Sequence, residues 1–200
     1  MDEVVPYEDR LRADPWFMLE EVGAFLDGTD RLVRTVRRAA ARLDWLRVPY
    51  AFAGDLALSV HGRRCVTVER VHLLVSDATL RAIHDERDGF GWVVPPGGGL
   101  LDVETGVRLA FALAGERVES AVLPDPAAVT VEVSGVRCVD LPTAIAHKIA
   151  LGITTRRLRH LGDVQDTIRE LALPVSFADR LDPSVRVRFL ELHVEPDPDR

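Results

Sequence analysis

The chain has 200 residues, 47% of them hydrophobic, which suits one domain with a real core or one domain with a small helical appendage. A formal charge of −7 and a pI near 5.4 argue against a general DNA- or RNA-binding surface, which needs a net or concentrated positive field. The acidic start "MDEVVPYEDR" lacks an apolar leader segment and no run approaches the roughly eighteen apolar residues of a membrane span, so the expectation is a soluble cytoplasmic protein without membrane contact.

In chain order, residues 1 to 15 read as irregular. From 16 to 46 the apolar spacing is helical (Phe17, Leu19, Val22, Phe25, Leu26, then Leu32, Val33, Val36, Ala40, Leu43, Leu46) with an arginine-rich outer face. "DGTD" at 27 to 30 splits this into two helices, with Thr29 or Asp30 as the N-cap. "VPYAFAG" predicts a strand stopped by Gly54, and "DLALSVHG" a short helix opened by Asp55 and closed by Gly62. "VHLLV" at 71 to 75 is a short buried strand. "SDATLRAIHDERDG" predicts a helix capped by Ser76 or Asp77, and "WVVPPGGGLLDVETGVRLAFALAG" short strands between turns. The three glycines of "PPGGGL" lack a following capped helix and read as a flexible turn, not a phosphate loop. "VTVEVSGVRCVDL" is a hairpin about Ser134-Gly135, and the chain is helical from Leu141 onward, with Pro183 in a first turn.

This order predicts an α/β fold: a mixed β-sheet flanked by helices, with a helical C-terminal segment. The expected divisions are an N-terminal helical segment at 1–45, an α/β core at 46–140, C-terminal helices at 141–193 packed on the core, and a disordered tail at 194–200. Cys65 and Cys138 have neither paired-thiol nor zinc spacing and read as buried small hydrophobes. Of 25 basic residues, Lys148 is the one lysine.

Three stretches together resemble the nucleotidyltransferases of the DNA polymerase beta superfamily, in the minimal bacterial branch related to type IV toxin–antitoxin systems. "VPYAFAGDLALSVHGRRCVTVERVHLLVS" is similar to the family's strand, small-residue turn, helix and metal-binding strand. "LPDPAAVTVEVSGVRCVDLPTAIAHKIALG" is similar to the later hairpin and lysine-bearing helix, and "RLRHLGDVQDTIRELALPVSFADRLDPSVRVRFLEL" to the terminal helices. The resemblance spans roughly 46 to 192. It implies a small mixed sheet flanked by helices, a nucleotide cleft beside Gly54, and a phosphate-facing Lys148.

The residues depart from that pattern where the chemistry sits. Nucleotidyl transfer in this superfamily uses two divalent cations held by three carboxylates, two of them at alternate positions of one strand so that both face the cleft. Aligned on "LLV", those positions hold Arg70 and His72; slipped by one residue, they hold Glu69 and Val71. The third position falls at Ala110, which shares a face with Arg108 and Ala112. Asp55 stands where the family's turn has a second small residue, and would crowd and repel a triphosphate.

The expectation is therefore a nucleotidyltransferase-fold protein that has lost catalysis and acts as a nucleotide- or anion-binding module, or as an interaction module bound to a protein partner or to itself. The expected ligand-binding residues are Gly54, Asp55, Arg70, His72, Arg108 and Lys148, with Arg63 and Arg64 nearby. Arg70 either binds an anion or pairs with Asp102 or Glu69; Lys148 either faces phosphate or lies on a helix surface. The alternative is an active transferase with unusual groups: Glu69, His72 and Asp163 as catalytic candidates, Asp102 as a further ligand, and His61, Glu69 and His72 as a metal set. No cofactor is expected unless that alternative holds, in which case Mg²⁺ or Mn²⁺ and a nucleoside triphosphate are required. Arg159, Asp163 and Asp166, spaced four and three apart, read as an ion-pair ladder along one helix.

Overall fold

A computed structural model describes residues 6–27, 30–63, 70–118 and 121–193. A seven-stranded mixed sheet, flanked by helices, carries a helical C-terminal part. The chain opens with α1 (Tyr7–Ala13), α2 (Pro15–Asp27) and α3 (Arg31–Leu46). Helix α1 corrects the irregular start expected from sequence: it follows Pro6, carries Glu8 and Asp9 in its first turn where the helix dipole favours acids, and packs Tyr7 edge-on against Phe17 of α2. The break between α2 and α3 falls where expected. Asp30 occupies the N-cap position of α3 but its side chain caps nothing, and Thr29 lies outside the described residues.

Helix α3 buries Leu32, Val33, Val36, Ala39 and Leu43, one stripe at helical spacing, and joins the same core as the sheet. It ends at Arg47 in a left-handed conformation. Next come β1 (Tyr50–Ala53), α4 (Gly54–Val60), β2 (Arg70–Val75) and α5 (Asp77–Glu86), whose Ser76 cap accepts from the Thr79 N–H. Strands β3 (Trp92–Val93), β4 (Leu100–Asp102) and β5 (Arg108–Leu113) follow. A separate two-stranded ribbon, β6 (Arg117–Val118) with β7 (Ala121–Val122), precedes the short α6 (Pro126–Val129).

The hairpin of β8 (Thr130–Val133) and β9 (Val136–Val139) turns at Ser134 and Gly135, with φ of 50° and 78°, the two positive values a primed two-residue turn requires. Trp16 of α2 donates from Nε1 to the Ser134 carbonyl at 3.1 Å, so the N-terminal helices reach this turn at the sheet's edge. The chain ends with α7 (Leu141–Thr155), α8 (Leu158–Glu170), a 3₁₀ turn at Val175–Arg180 and α9 (Pro183–His193), which opens on the proline expected in a first turn. The tail 194–200 lies outside the described residues.

Strand order is β3-β4-β5-β2-β1-β9-β8. The interior strand β1 is buried throughout, antiparallel to β2 and parallel to β9; the central strand β2 runs parallel to β5 over six paired residues. The place of β1 between two strands explains why "YAFA" is apolar apart from the Tyr50 hydroxyl, which donates to Asp44 Oδ1 at 3.2 Å. No helix among the described residues is long and apolar enough to cross a membrane.

Candidate functional site

Strand β1 ends at Ala53, which pairs with His72, and the chain turns at once into α4 through Gly54 at φ +66°. A Cβ at Gly54 would lie 3.3 Å from the His72 Cβ, so the turn sits directly on that histidine and needs glycine on both counts. On β2, Arg70 and His72 share a face while Val71 is fully buried on the other. Arg70 and His72 are the β2 residues on the cavity side; Glu69 lies outside the described residues. The neighbouring strand aligns Arg108 with Arg70, Ala110 with His72 and Ala112 with Leu74. The face formed by these alternate positions of β2 and β5 thus carries two arginines, one histidine and no carboxylate.

Helices α7 and α8 close over this face. Gly54, Asp55, Arg70, His72 and Lys148 line one cavity of about 450 Å³, joined by His147, Leu151 and Thr155 of α7 and by Arg157, Arg159 and His160 at the α7–α8 junction. Five of the six expected ligand-binding residues are therefore brought together. The sixth, Arg108, faces an adjacent cavity that also borders Arg70.

Lys148 is not a surface lysine: it is 4% exposed, and its Nζ donates to Asp55 Oδ1 and, at 2.6 Å, to Asp163 Oδ2. Asp163 Oδ1 in turn accepts from Arg63 Nη2 at 2.9 Å, and Arg63 is itself 6% exposed. Burial pushes the Asp163 carboxyl upward, but Lys148 and Arg63 outweigh it and hold the group below its ordinary range. The expected repulsion between Asp55 and an anion is thereby neutralised, because Lys148 compensates that carboxylate. Asp163 is locked in an ion-pair network and does not line the cavity.

The ion-pair ladder expected along α8 is corrected in its partners. Asp163 pairs with Lys148 and Arg63, Asp166 lies 3.6 Å from Arg63 and 3.9 Å from Arg169, and Arg159 lines the cavity. The side chains of Arg70, Arg157 and Arg159 form no hydrogen bond or ion pair among the described residues.

Asp102, considered above as a metal ligand or a partner for Arg70, is neither. It is fully buried and accepts from Arg38 Nε at 3.2 Å, Arg42 Nη1 at 3.0 Å and Trp92 Nε1 at 3.2 Å, clamping α3 to the sheet. Of the metal set, His72 lines the cavity, His61 does not and places Nε2 2.8 Å from the Val139 carbonyl, and Glu69 lies outside the described residues. Among the described residues no three His, Cys, Asp or Glu side chains converge on a possible metal position. Cys138 is buried as expected, which pushes its thiol up to about 12; Cys65 lies outside the described residues.

Sequence reasoning missed His147, His160 and Arg157. The first carried a readable signal: His147, Leu151 and Thr155 recur every four residues and so share a face of α7. All three cavity histidines are held below their ordinary range, first by burial and then by the neighbouring cations, His147 down to about 4. A histidine whose pKa falls on folding takes up its proton more readily in the unfolded chain. The stability it gives is therefore present above its unfolded pKa of about 6.5 and declines as pH falls from there toward 4. Urea titrations across that window are expected to show falling stability in the parent chain and a flatter profile in His147→Gln. Below it, protonation of Asp163, whose pKa is also depressed, removes further stability in both.

Chemically, the cavity offers unpaired guanidiniums and neutral imidazoles around a lysine already neutralised by two carboxylates, an arrangement suited to an oxyanion. No protein-family model and no curated protein matches this chain.

Proposed function

We propose that this chain is a nucleotidyltransferase-like scaffold that no longer transfers nucleotides and that uses the cleft between β2 and α7–α8 to bind a phosphate-bearing ligand, a nucleotide foremost, without a metal ion. The observation that carries this reading is the pairing of β2 with β5: the three positions where the resemblance calls for carboxylates hold Arg70 and His72, which line the cavity, and Ala110, the register partner of His72 on the same face. Magnesium needs several hard oxygen ligands in near-octahedral order, which arginine, imidazole and a methyl group cannot supply. A guanidinium at the first position instead neutralises phosphate directly, with paired donors and a permanent charge.

The test uses ATP and orthophosphate as probes in EDTA. Thermal stabilisation by mass action is expected to persist without divalent ions. In Arg70→Ala the affinity should fall about tenfold, the change produced by losing roughly 1.4 kcal/mol of interaction. Stabilisation that requires Mg²⁺ or Mn²⁺, or incorporation of label from a nucleoside triphosphate, would overturn the reading in favour of an active transferase.

A further inference from the structure

We propose that Arg108 and the glycine turn at 97–99 form a second phosphate subsite, continuous with the first through Arg70, so that the cleft takes a linear chain of phosphates; this rests on the anion-binding reading above. Beside the cavity already described lies another of about 460 Å³, and Arg70 borders both. Arg108 is the register partner of Arg70 on the adjacent parallel strand, which puts their backbones about 4.8 Å apart with both side chains on one face. Like charges set directly side by side in a sheet are destabilising, and neither guanidinium has an ion-pair partner among the described residues. A bound anion shared by the two guanidiniums would relieve that repulsion.

The surroundings of Arg108 keep it available. Its Nη1 donates to the Pro96 carbonyl at 3.2 Å, anchoring the side chain along the turn and leaving its remaining donors for a ligand. A Cβ at Gly97 would come 3.8 Å from that Nη1, so the bare turn runs past the guanidinium without a side chain to cover it. The turn itself is held against β5: Gly99, at φ +73°, admits no other residue, since a Cβ there would lie 2.4 Å from the Leu109 carbonyl oxygen. The turn, expected from sequence to be flexible and not a phosphate loop, forms a wall of the second cavity. The acid bordering that cavity, Glu116, has its Oε2 3.4 Å from the Leu113 N–H, and His84 stands on the α5 side. Arginines with no ion pair among the described residues thus continue from Arg108 through Arg70 to Arg159 across the two cavities.

The full chain in EDTA is titrated calorimetrically with orthophosphate, tripolyphosphate, AMP and ATP. Tripolyphosphate and ATP should bind at least about tenfold tighter than the monophosphates, as expected when added phosphates meet added charge-assisted donors. Arg108→Ala and the polar, uncharged Arg108→Gln should both abolish that preference. Equal binding of tripolyphosphate and ATP, or a further preference for ATP, supports the subsite and distinguishes a free phosphate chain from one carried by a nucleoside. If the preference survives in both Arg108 variants, or never appears while phosphate binding remains sensitive to Arg70, the second subsite is refuted and the single pocket stands. Absence of any phosphate binding refutes the underlying reading instead.

Discussion

Replacing Asp102 with alanine is expected to lower the unfolding free energy by about 3–5 kcal/mol, the usual cost of stripping one partner from a buried ion pair. The carboxylate is fully buried, yet every group around it is a donor: the guanidiniums of Arg38 and Arg42, the Trp92 indole, and the backbone N–H groups of Glu104 and Thr105. Burial pushes its pKa up, and the Arg38 and Trp92 hydrogen bonds more than reverse that push, so the group stays ionised in the fold. Alanine leaves Arg42, which stacks over the Trp92 ring at 4.9 Å, as a cation without its carboxylate, and leaves the indole N–H unpaired inside the protein. For a chain of this size the melting temperature should drop by about 10 °C, at the 2–4 °C per kcal/mol typical of such domains. Asp102→Asn, which keeps an acceptor but no charge, should lose less. A drop of under about 1 kcal/mol in Asp102→Ala, measured by urea unfolding, would mean that α3 is held to the sheet by apolar packing alone.

The second large effect belongs to Lys148→Met, which fills the same space without the charge. Asp55 and Asp163 would then face each other with Arg63 as the remaining close cation on Asp163. The expected cost is about 3 kcal/mol, the low end of the buried-pair range, because the two carboxylates keep 20% and 25% of their side-chain surface accessible to water. Binding should suffer as well, since Asp55 at the cavity wall, without the Lys148 charge beside it, repels phosphate more strongly. The diagnostic is the double variant Asp55→Asn with Lys148→Met. Removing both charges together should recover part of the stability and part of the phosphate affinity, a coupling that a double-mutant cycle reads directly. Affinity unchanged in Lys148→Met would show that Asp55 does not sense the ligand at all.

Much of the architecture was legible because its determinants are local. The α2–α3 break, the Ser76 cap, the Ser134-Gly135 turn and the proline opening α9 each follow from a few neighbouring residues and their backbone preferences. The common face of Arg70 and His72 follows from the two-residue period of a strand, and Val71 is buried on the opposite face as that period requires. Helix α1 escaped notice because a seven-residue helix has too few turns to display a period, and it is held by contacts with α2 rather than by propensity.

Partner choice among charged residues was decided only by the tertiary structure. The arginines of α3 read as a solvated face, and Arg37 does pair at the surface with Glu20; yet Arg38 and Arg42 turn toward Asp102, 64 and 60 residues away. Lys148 reads equally as surface or cleft, and its fate depends on Asp55, 93 residues earlier, and on Asp163 from the next helix. Arg159 suits a ladder with Asp163 by helical spacing, but α8 packs against α7 so that Asp163 meets Lys148 first and Arg159 is left facing the cavity. Periodicity states which side of an element a charge occupies. Which opposite charge lies within reach depends on how distant elements pack, and in a buried site that proximity outweighs spacing along one helix, because the low-dielectric interior strengthens close pairs while water screens exposed ones.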